Sequence, residues 1–257
     1  MSIGCVITTF NSQEYFETLW NSIPFHRIDE LVVVNGGKPY TKPFTSDKCN
    51  VTWIQHESNQ GVARSRNDGL KYLREKNCDY YFIIEDDMII LDENIFSRYI
   101  DASQVTGLQY FCFVSYPWEA GHRFERTPRL KVQYNDATLI HFYKNSCNEF
   151  TFRTKEMLDK SGFYDETYLS CFDVDNYYSI TQLPEGHVFW YSPDLASSDD
   201  LIMNNTEAVS RMDNDGKRVE RLLPDYSYFL RKQGILIQQI PDIGKEKVIK
   251  KLKRIKP

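Results

Sequence analysis

The sequence predicts an α/β fold in which helices cover a mainly parallel sheet. Apolar runs and amphipathic stretches alternate along residues 3–87 in the order strand, helix, strand, strand, helix, strand. Parallel strands require crossover connections, so this order favours a parallel sheet. Polar residues directly follow three of the runs, and ligands of such sheets bind beyond the carboxyl ends of the strands. We therefore expect a binding crevice at that edge.

Four of the apolar runs are interpreted as strands. Each is rich in β-branched or aromatic residues and is bounded by polar or turn-forming residues. They cover residues 3–9, 31–34, 51–54 and 80–84. Because these runs are apolar throughout rather than alternating, we expect helices on the faces of the sheet.

Two helices are predicted between these strands. Asn11 and Glu14 have the spacing of a capping box, and apolar residues then recur at helical spacing until Pro24 ends the helix. The second helix covers residues 61–76, with its basic residues away from the core. Its inward-facing residues are expected to be Val62, Leu70 and Leu73.

The chain after residue 100 has a less regular pattern. Strands are predicted at residues 109–115, 138–143 and 187–191. Helices are predicted at residues 154–160 with Thr154 as the cap, at 173–183, and at 225–232 between Pro224 and Gly234. The polar segment 118–129 is interpreted as a loop that forms a flap or lies on the surface.

The segment 244–257 combines an apolar stripe with a basic face. Val248, Leu252 and Ile255 share the stripe, and seven Lys or Arg residues surround it. Such a helix attaches to an anionic membrane surface, or it packs on its own domain with the basic face in solvent. The sequence leaves both interpretations open.

Composition excludes several classes of protein. The 257-residue chain has a formal net charge of −5, which argues against nucleic acid as a partner. No stretch has the length and apolar character of a transmembrane helix, and residues 1–10 do not resemble a signal peptide. The six cysteines form no CxxC pair and are expected to be reduced thiols. We therefore expect a cytoplasmic protein.

An acidic triplet, Glu85-Asp86-Asp87, directly follows the strand at residues 80–84. Acids two residues apart on an extended chain point the same way, so Glu85 and Asp87 can share a divalent cation. Such a cation would bridge the phosphates of a nucleoside diphosphate and stabilise it as a leaving group. A solvated acidic turn is the alternative interpretation.

Three further segments carry candidate functional groups. The strand end Thr8-Thr9-Phe10-Asn11 offers hydroxyl and backbone groups, or is simply a strand end with a helix cap. The segment 61–69 opens a helix with arginines, where phosphate contacts are favourable, or is an ordinary amphipathic helix with a charged face. Downstream of the turn at residues 162–166, Asp173 is placed to act as a general base on an acceptor hydroxyl or to cap a helix.

Taken in order, these segments resemble glycosyltransferase family 2, whose members have the GT-A fold. The resemblance covers residues 3–195 and includes the motifs Gly-Val-Ala-Arg-Ser-Arg-Asn-Asp-Gly and Gly-Phe-Tyr-Asp-Glu. It implies a GT-A domain over residues 1–222, with a nucleotide-binding half at 1–100 and an acceptor half at 101–222. A C-terminal helical extension with a basic tail would follow at residues 223–257.

The resemblance also implies a role for individual residues. Glu85 and Asp87 fall on the family's Asp-x-Asp metal motif, which implies Mn²⁺ or Mg²⁺ as the cofactor. Asp173 falls on the catalytic base, although Phe172 replaces the usual preceding Glu. The implied donor-binding residues are Thr8, Thr9, Phe10, Asn11, Asn35, Arg66, Asp68 and Asp86.

Two further positions depart from the family pattern. Asn35 replaces the acid that normally holds the uracil or ribose. The His that members often carry after the last strand is absent from residues 193–201, where Asp194, Asp199 and Asp200 are the available carboxylates.

The function implied is metal-dependent, inverting sugar transfer from a nucleotide-sugar, with UDP the family's commonest nucleotide. The acceptor would be a hydroxyl of a polysaccharide, a lipid-linked glycan or a glycoprotein. A degenerate member that binds without catalysis is one alternative, and a sugar-phosphate nucleotidyltransferase is another. The latter would need a Gly-rich, basic loop after the first strand, where this chain has Thr9-Phe10-Asn11-Ser12. The absence of GxxxxGK[ST] and GxGxxG argues against a P-loop NTPase or a Rossmann dehydrogenase.

Overall fold

A computed structural model describes residues 1–113, 127–143, 149–168, 176, 179–180, 192–205, 218–234 and 244–252. The strands are β1 (Ile3–Thr9), β2 (Glu30–Asn35), β3 (Asn50–Gln55), β4 (Tyr80–Glu85), β5 (Met88–Ile90), β6 (Tyr110–Cys112), β7 (Leu130–Asn135), β8 (Thr138–Tyr143), β9 (Phe150–Thr154), β10 (Ser192–Leu195) and β11 (Ile202–Asn204). The helices are α1 (Gln13–Ser22), α2 (Val62–Glu75), α3 (Ile95–Thr106), α4 (Lys155–Ser161), α5 (Arg218–Gln233) and α6 (Gly244–Leu252).

The central sheet has the strand order β3-β2-β1-β4-β9-β6. The first four strands in this order are mutually parallel, whereas β9 runs antiparallel to both of its neighbours. The predicted mainly parallel sheet is therefore confirmed. Strands β10, β8 and β7 form a smaller antiparallel sheet, and β11 pairs with β5 directly after the acidic triplet.

Helices cover both faces of the central sheet. Successive residues of a strand point to opposite faces, so Cys5 and Ile7 join one apolar cluster while Val6 joins the other. The first cluster contains side chains of α1, α3 and α6, and the second contains side chains of α2, α4 and α5. This three-layer packing explains why the strand sequences are apolar throughout.

The boundaries of the first helix differ from the prediction at its start. Asn11 has a φ of 55° and lies before Ser12, the N-cap residue of α1, so the expected capping box does not form. The Asn11 Oδ1 atom instead accepts a hydrogen bond of 2.9 Å from the Lys38 backbone N–H. In contrast, Thr154 caps α4 as predicted, because its hydroxyl accepts a hydrogen bond from the Met157 N–H.

Helix α2 agrees with its predicted extent but not with all of its predicted faces. Leu70 and Leu73 are buried as expected, whereas Val62 is 36% exposed. Arg66, expected to point away from the core with the other basic residues, is fully buried. The reason is an ion pair with Glu85, which keeps the buried guanidinium charge partnered.

Several elements that follow the acidic triplet were not predicted. These are β5, α3, β7, β9, β10 and β11. The strand prediction at 138–143 is confirmed by β8, and that at 109–115 is confirmed in a shorter form by β6. The strand prediction at 187–191 lies outside the described residues, as do most of the predicted helix at 173–183 and most of the predicted loop at 118–129.

The C-terminal helices are integrated into the core. Helix α5 contains Pro224 in its interior, so the prediction that the helix begins after this proline is wrong, whereas Gly234, with a φ of 71°, follows its end as expected. Helix α5 also runs through the expected boundary between residues 222 and 223. In α6, Val248 and Leu252 are buried in the first cluster, which favours a helix packed on its own domain over one that binds a membrane.

None of the helices in the described part of the chain combines the length and apolar character that crossing a bilayer requires. Among the described cysteines, Cys5, Cys49 and Cys78 are free thiols as predicted.

Candidate functional site

The carboxyl ends of three neighbouring parallel strands meet at one edge of the central sheet. In the register of the sheet, Thr8 lies beside Glu85 and Thr9 lies beside Asn35. A cavity of about 230 Å³ opens at this edge, which confirms that the polar strand ends converge on one crevice. The predicted site residues that line it are Thr8, Thr9, Phe10, Glu85, Asp86 and Asp87.

The Asp86 carboxylate is bound to the end of β1. Its Oδ2 atom accepts hydrogen bonds from the Thr9 hydroxyl and, at 3.4 Å, from the Phe10 backbone N–H. Burial raises the pKa of Asp86 to about 7, although the hydrogen bond from Thr9 acts in the opposite direction. The Thr9 hydroxyl also contacts the Tyr40 hydroxyl. Tyr40 was not identified from the sequence, because it lies in a loop that carries no motif.

The Asn35 side chain is fully buried and forms hydrogen bonds with other groups of the protein. Its amide nitrogen donates to the Lys38 carbonyl at 2.9 Å and to Gln55 Oε1 at 3.1 Å, while its Oδ1 accepts from the Gly37 N–H at 2.8 Å. Asn35 therefore shapes the turn after β2. Within this turn Gly36 is buried, Gly37 is partly exposed and Lys38 is exposed.

Asn11 stabilises the same turn from the other side. A Cβ atom on Gly37 would lie 2.5 Å from Asn11 Oδ1, so only glycine allows the two loops to approach this closely. A second cavity of about 450 Å³ borders this turn and shares Phe10, Gly36 and Asn59 with the first cavity. Phe10, which is 48% exposed, lies at the boundary between the two cavities.

Arg66 connects helix α2 to the acidic triplet. Its Nη2 atom donates to Glu85 Oε1, and its guanidinium lies 5.6 Å from the centre of the Tyr164 ring. The Glu85 side chain keeps 26% of its surface exposed. Asp68, which was predicted to bind the donor together with Arg66, lies elsewhere on α2 and contacts His56 and Arg64 at 3.0 and 3.1 Å. The structure thus brings Arg66 to the triplet, but not Asp68.

Asp87 has an environment that favours a bound cation. The residue is 7% exposed, and its Oδ1 atom has no hydrogen-bond partner in the part of the chain that the structure describes. Burial, and then the charges of Glu85, Asp86 and Glu149, raise the pKa of Asp87 to about 8. A divalent cation takes hard oxygen ligands and would relieve this repulsion, so the predicted ligands fit it.

The described side chains do not form a complete metal site. Across the described ranges, no group of three or more His, Cys, Asp or Glu residues is arranged to hold a metal ion. Asp194, a possible further carboxylate, is fully buried and accepts hydrogen bonds of 2.8 Å from Tyr99 and Ser198. Of the predicted carboxylates, Glu85 and Asp87 are the pair that lines the cavity together with Asp86.

The turn at residues 162–166 is docked on helix α2. The Asn67 side chain donates to the Tyr164 carbonyl at 2.9 Å and accepts from the Tyr164 N–H at 2.8 Å. Glu166 accepts hydrogen bonds from Asn67 at 2.8 Å and from Arg64 at 2.9 Å. This docking fixes the start of the segment that leads to Asp173. Asp173 itself lies outside the residues that the structure describes.

Comparisons with known proteins agree with this arrangement. The sequence profile described as glycosyl transferase family 2 matches residues 5–160. No curated protein matches the chain. The structure of S. aureus TarS 1–349 in complex with UDP has a TM-score of 0.56 and 14% identity, with 93% of this chain and 74% of that chain covered.

Two other solved structures have the same fold. A longer S. aureus TarS chain has a TM-score of 0.52 and 15% identity, and the match covers 73% of this chain but only 34% of TarS. The mannosyltransferase PcManGT from Pyrobaculum calidifontis, in complex with GDP-Man and Mn²⁺, has a TM-score of 0.50 and 12% identity, with 70% and 52% covered. The chain therefore belongs to glycosyl transferase family 2 and is a glycosyltransferase with the GT-A fold.

Proposed function

We propose that the protein transfers a sugar from a nucleotide-sugar, with UDP as the nucleotide, to an acceptor hydroxyl, with a divalent cation and inversion at the anomeric carbon. The observation that carries the proposal is the convergence of Glu85, Asp87 and Arg66 at the cavity beyond β1 and β4. Carboxylates for a cation and a guanidinium for phosphate are the groups that a departing nucleoside diphosphate requires.

The nucleotide would occupy the two adjoining cavities. Thr8, Thr9 and Phe10 line the first cavity, and Phe10 offers an exposed ring against which a base can stack. The base would lie over the turn at residues 36–38, where Asn35 acts by holding the turn. The UDP in the TarS structure and the GDP-Man in the PcManGT structure support a nucleotide-sugar as the donor class.

Glu85 and Asp87 would hold the cation, Mn²⁺ or Mg²⁺. When bound, it would supply positive charge to the leaving diphosphate. Arg66 would add a second positive charge from the protein, held in place before the reaction begins. Asp173 would accept the proton of the acceptor hydroxyl, and direct attack by that oxygen would invert the configuration.

The acceptor would be a hydroxyl of a polysaccharide, a lipid-linked glycan or a glycoprotein. Its site would be formed by the half of the domain at residues 101–222, where pocket shape decides specificity. We also propose that the protein works in the cytoplasm. Any contact with a membrane surface would depend on the basic residues of the C-terminal segment, since Val248 and Leu252 are buried.

The first test measures nucleotide release from UDP-, GDP- and dTDP-sugars with manganese, magnesium or a chelator. Wild type should hydrolyse one donor slowly and only with metal. Asp87→Asn should lose the response to metal, and Asp173→Asn should lower the rate by about 100-fold or more. Asp101→Asn is the control, because Asp101 is an exposed acid on α3 and should leave the rate unchanged.

The outcomes separate the alternatives. Hydrolysis that survives in Asp87→Asn or Asp173→Asn contradicts the assigned roles. If wild type binds UDP and manganese without any turnover, the non-catalytic alternative is favoured and Asp173→Asn should leave that binding unchanged. If wild type neither turns over a donor nor binds a nucleotide, the proposed function is wrong.

A further inference from the structure

Arg153 is a buried cation without a counter-ion among the described residues. It lies on β9, is fully buried, and donates to the Tyr164 hydroxyl at 2.6 Å and to Asn176 Oδ1 at 3.4 Å. Its Nε and Nη1 atoms have no hydrogen-bond partner, and no carboxylate pairs with it in the part of the chain that the structure describes. Burying an unpaired charge is unfavourable, so this arrangement calls for a role beyond packing.

Tyr164 links Arg153 to the candidate site. The guanidinium of Arg153 lies 5.1 Å from the centre of the Tyr164 ring, and that of Arg66 lies 5.6 Å from the same centre. Cations are attracted to the face of an aromatic ring, and the attraction is stronger when water is excluded. Asn67, the residue after Arg66 on α2, holds the Tyr164 backbone at both its N–H and its carbonyl. Tyr164 is therefore fixed to the same helical turn that carries Arg66.

We propose that Tyr164 and Arg153 are positioning residues, which hold the Arg66 guanidinium against Glu85 at the edge of the cleft. The inference rests on the proposed function, in which Arg66 and Glu85 act on the departing diphosphate. An arginine side chain has many rotamers, and a preorganised charge stabilises a transition state without a reorganisation cost. The Tyr164 ring restricts Arg66, and the hydrogen bond from Arg153 fixes the orientation of that ring.

The test compares Tyr164→Phe with Tyr81→Phe in donor hydrolysis with manganese. Tyr164→Phe removes the hydroxyl that accepts from Arg153 but keeps the ring. Tyr81 is the matched control, because it is fully buried and pairs with Arg153 across β4 and β9. Its hydroxyl has no hydrogen-bond partner within the described ranges. A positioning role should lower kcat by about 10-fold while KM for the donor changes by less than about 3-fold. Tyr81→Phe should leave both unchanged.

A second measurement asks whether the effect passes through Glu85. In a double-mutant cycle, Tyr164→Phe should lower kcat much less in a Glu85→Gln background than in wild type, because the group that it positions has already lost its partner. Arg153→Met should resemble Tyr164→Phe, and Arg153→Lys, which keeps a charged donor, should recover part of kcat. If Arg153→Met does not fold, Tyr164→Phe and Arg153→Lys still decide the question.

The inference is overturned if active wild type and Tyr164→Phe have the same kcat, or if the Tyr164→Phe and Glu85→Gln effects multiply independently. A loss of thermal stability with unchanged kcat also overturns it, since that result indicates a structural role alone. Failure of the proposed function is different, because then wild type itself neither releases nor binds a nucleotide.

Discussion

Asp165 connects helix α5 to the turn that carries Tyr164, and its charge should stabilise the fold in a pH-dependent way. It accepts hydrogen bonds from Lys232 Nζ at 2.7 Å, from the Tyr228 hydroxyl at 3.0 Å and from the Thr167 N–H at 2.9 Å. Burial alone would raise the pKa of Asp165, but these hydrogen bonds outweigh it and lower the pKa to about 2. We predict that Asp165→Asn destabilises the protein at neutral pH.

The size of the effect follows from the change in pKa. The pKa falls from 3.8 to about 2 on folding, and each unit corresponds to about 1.4 kcal/mol. Lys232 is 35% exposed, so solvent screens part of the interaction and the expected loss is about 1 to 2 kcal/mol. Because the pKa is lowered in the folded state, this stabilisation is present above pH 4 and is lost as pH falls toward 2. About half should remain near pH 3.

Urea unfolding of wild type and Asp165→Asn between pH 7 and pH 3 measures this difference. Asp136→Asn, which changes an exposed acid in the turn between β7 and β8, is the control and should cost less than about 0.5 kcal/mol. The difference between wild type and Asp165→Asn should narrow on acidification. A difference that stays constant, or one that grows at low pH, would refute the assignment of the stabilisation to the Asp165 charge.

Three further changes test other contacts of the fold and the site. Gly69→Ala would place a Cβ atom 2.4 Å from Val6 Cγ1, so the free energy of unfolding measured in urea should fall by about 1 to 3 kcal/mol. An unchanged urea midpoint would contradict this packing. Thr154→Ala removes the cap of α4 and should lower the free energy of unfolding by about 1 kcal/mol, whereas Thr154→Ser should keep most of this stability. Equal losses of stability in the two variants would argue against capping. Tyr40→Phe removes the hydroxyl that contacts Thr9, so KM for the donor should rise about 5-fold with the melting temperature nearly unchanged, and an unaltered KM would remove Tyr40 from the site.

The sheet and the acidic strand end were predictable because local pattern determines both. Strands such as β1 and β4 are apolar on both faces, and that composition is visible without knowledge of what covers them. The convergence of Thr8 and Glu85 follows from parallel pairing alone. Helix α3 was not predicted, although its sequence contains a helical pattern. Ile95, Phe96 and Tyr99 are buried at helical spacing, and Gly107 ends the helix with a φ of 71°.

Other features depend on partners that are distant in the sequence. The burial of Arg66 requires Glu85 and Tyr164, and neither is visible from the periodicity of α2, which favours solvent for an arginine. The Asn11 side chain serves the turn at Lys38 rather than the helix that follows it, because the tertiary contact competes successfully with capping. Strand β9 was not predicted, because the polar residues Thr151 and Arg153, which are buried in the structure, interrupt its apolar pattern.

The way in which the last two helices complete both faces of the sheet has a consequence for synthesis on the ribosome. Phe229 of α5 fills one apolar cluster, and Val248 and Leu252 of α6 fill the other. The sheet emerges first, so both of its faces keep exposed apolar surface until the final helices leave the exit tunnel. A nascent chain in that state is prone to aggregation and binds chaperones. Stalling translation before residue 218 should therefore yield a protease-sensitive intermediate, even though the strands of the candidate site have all been synthesised.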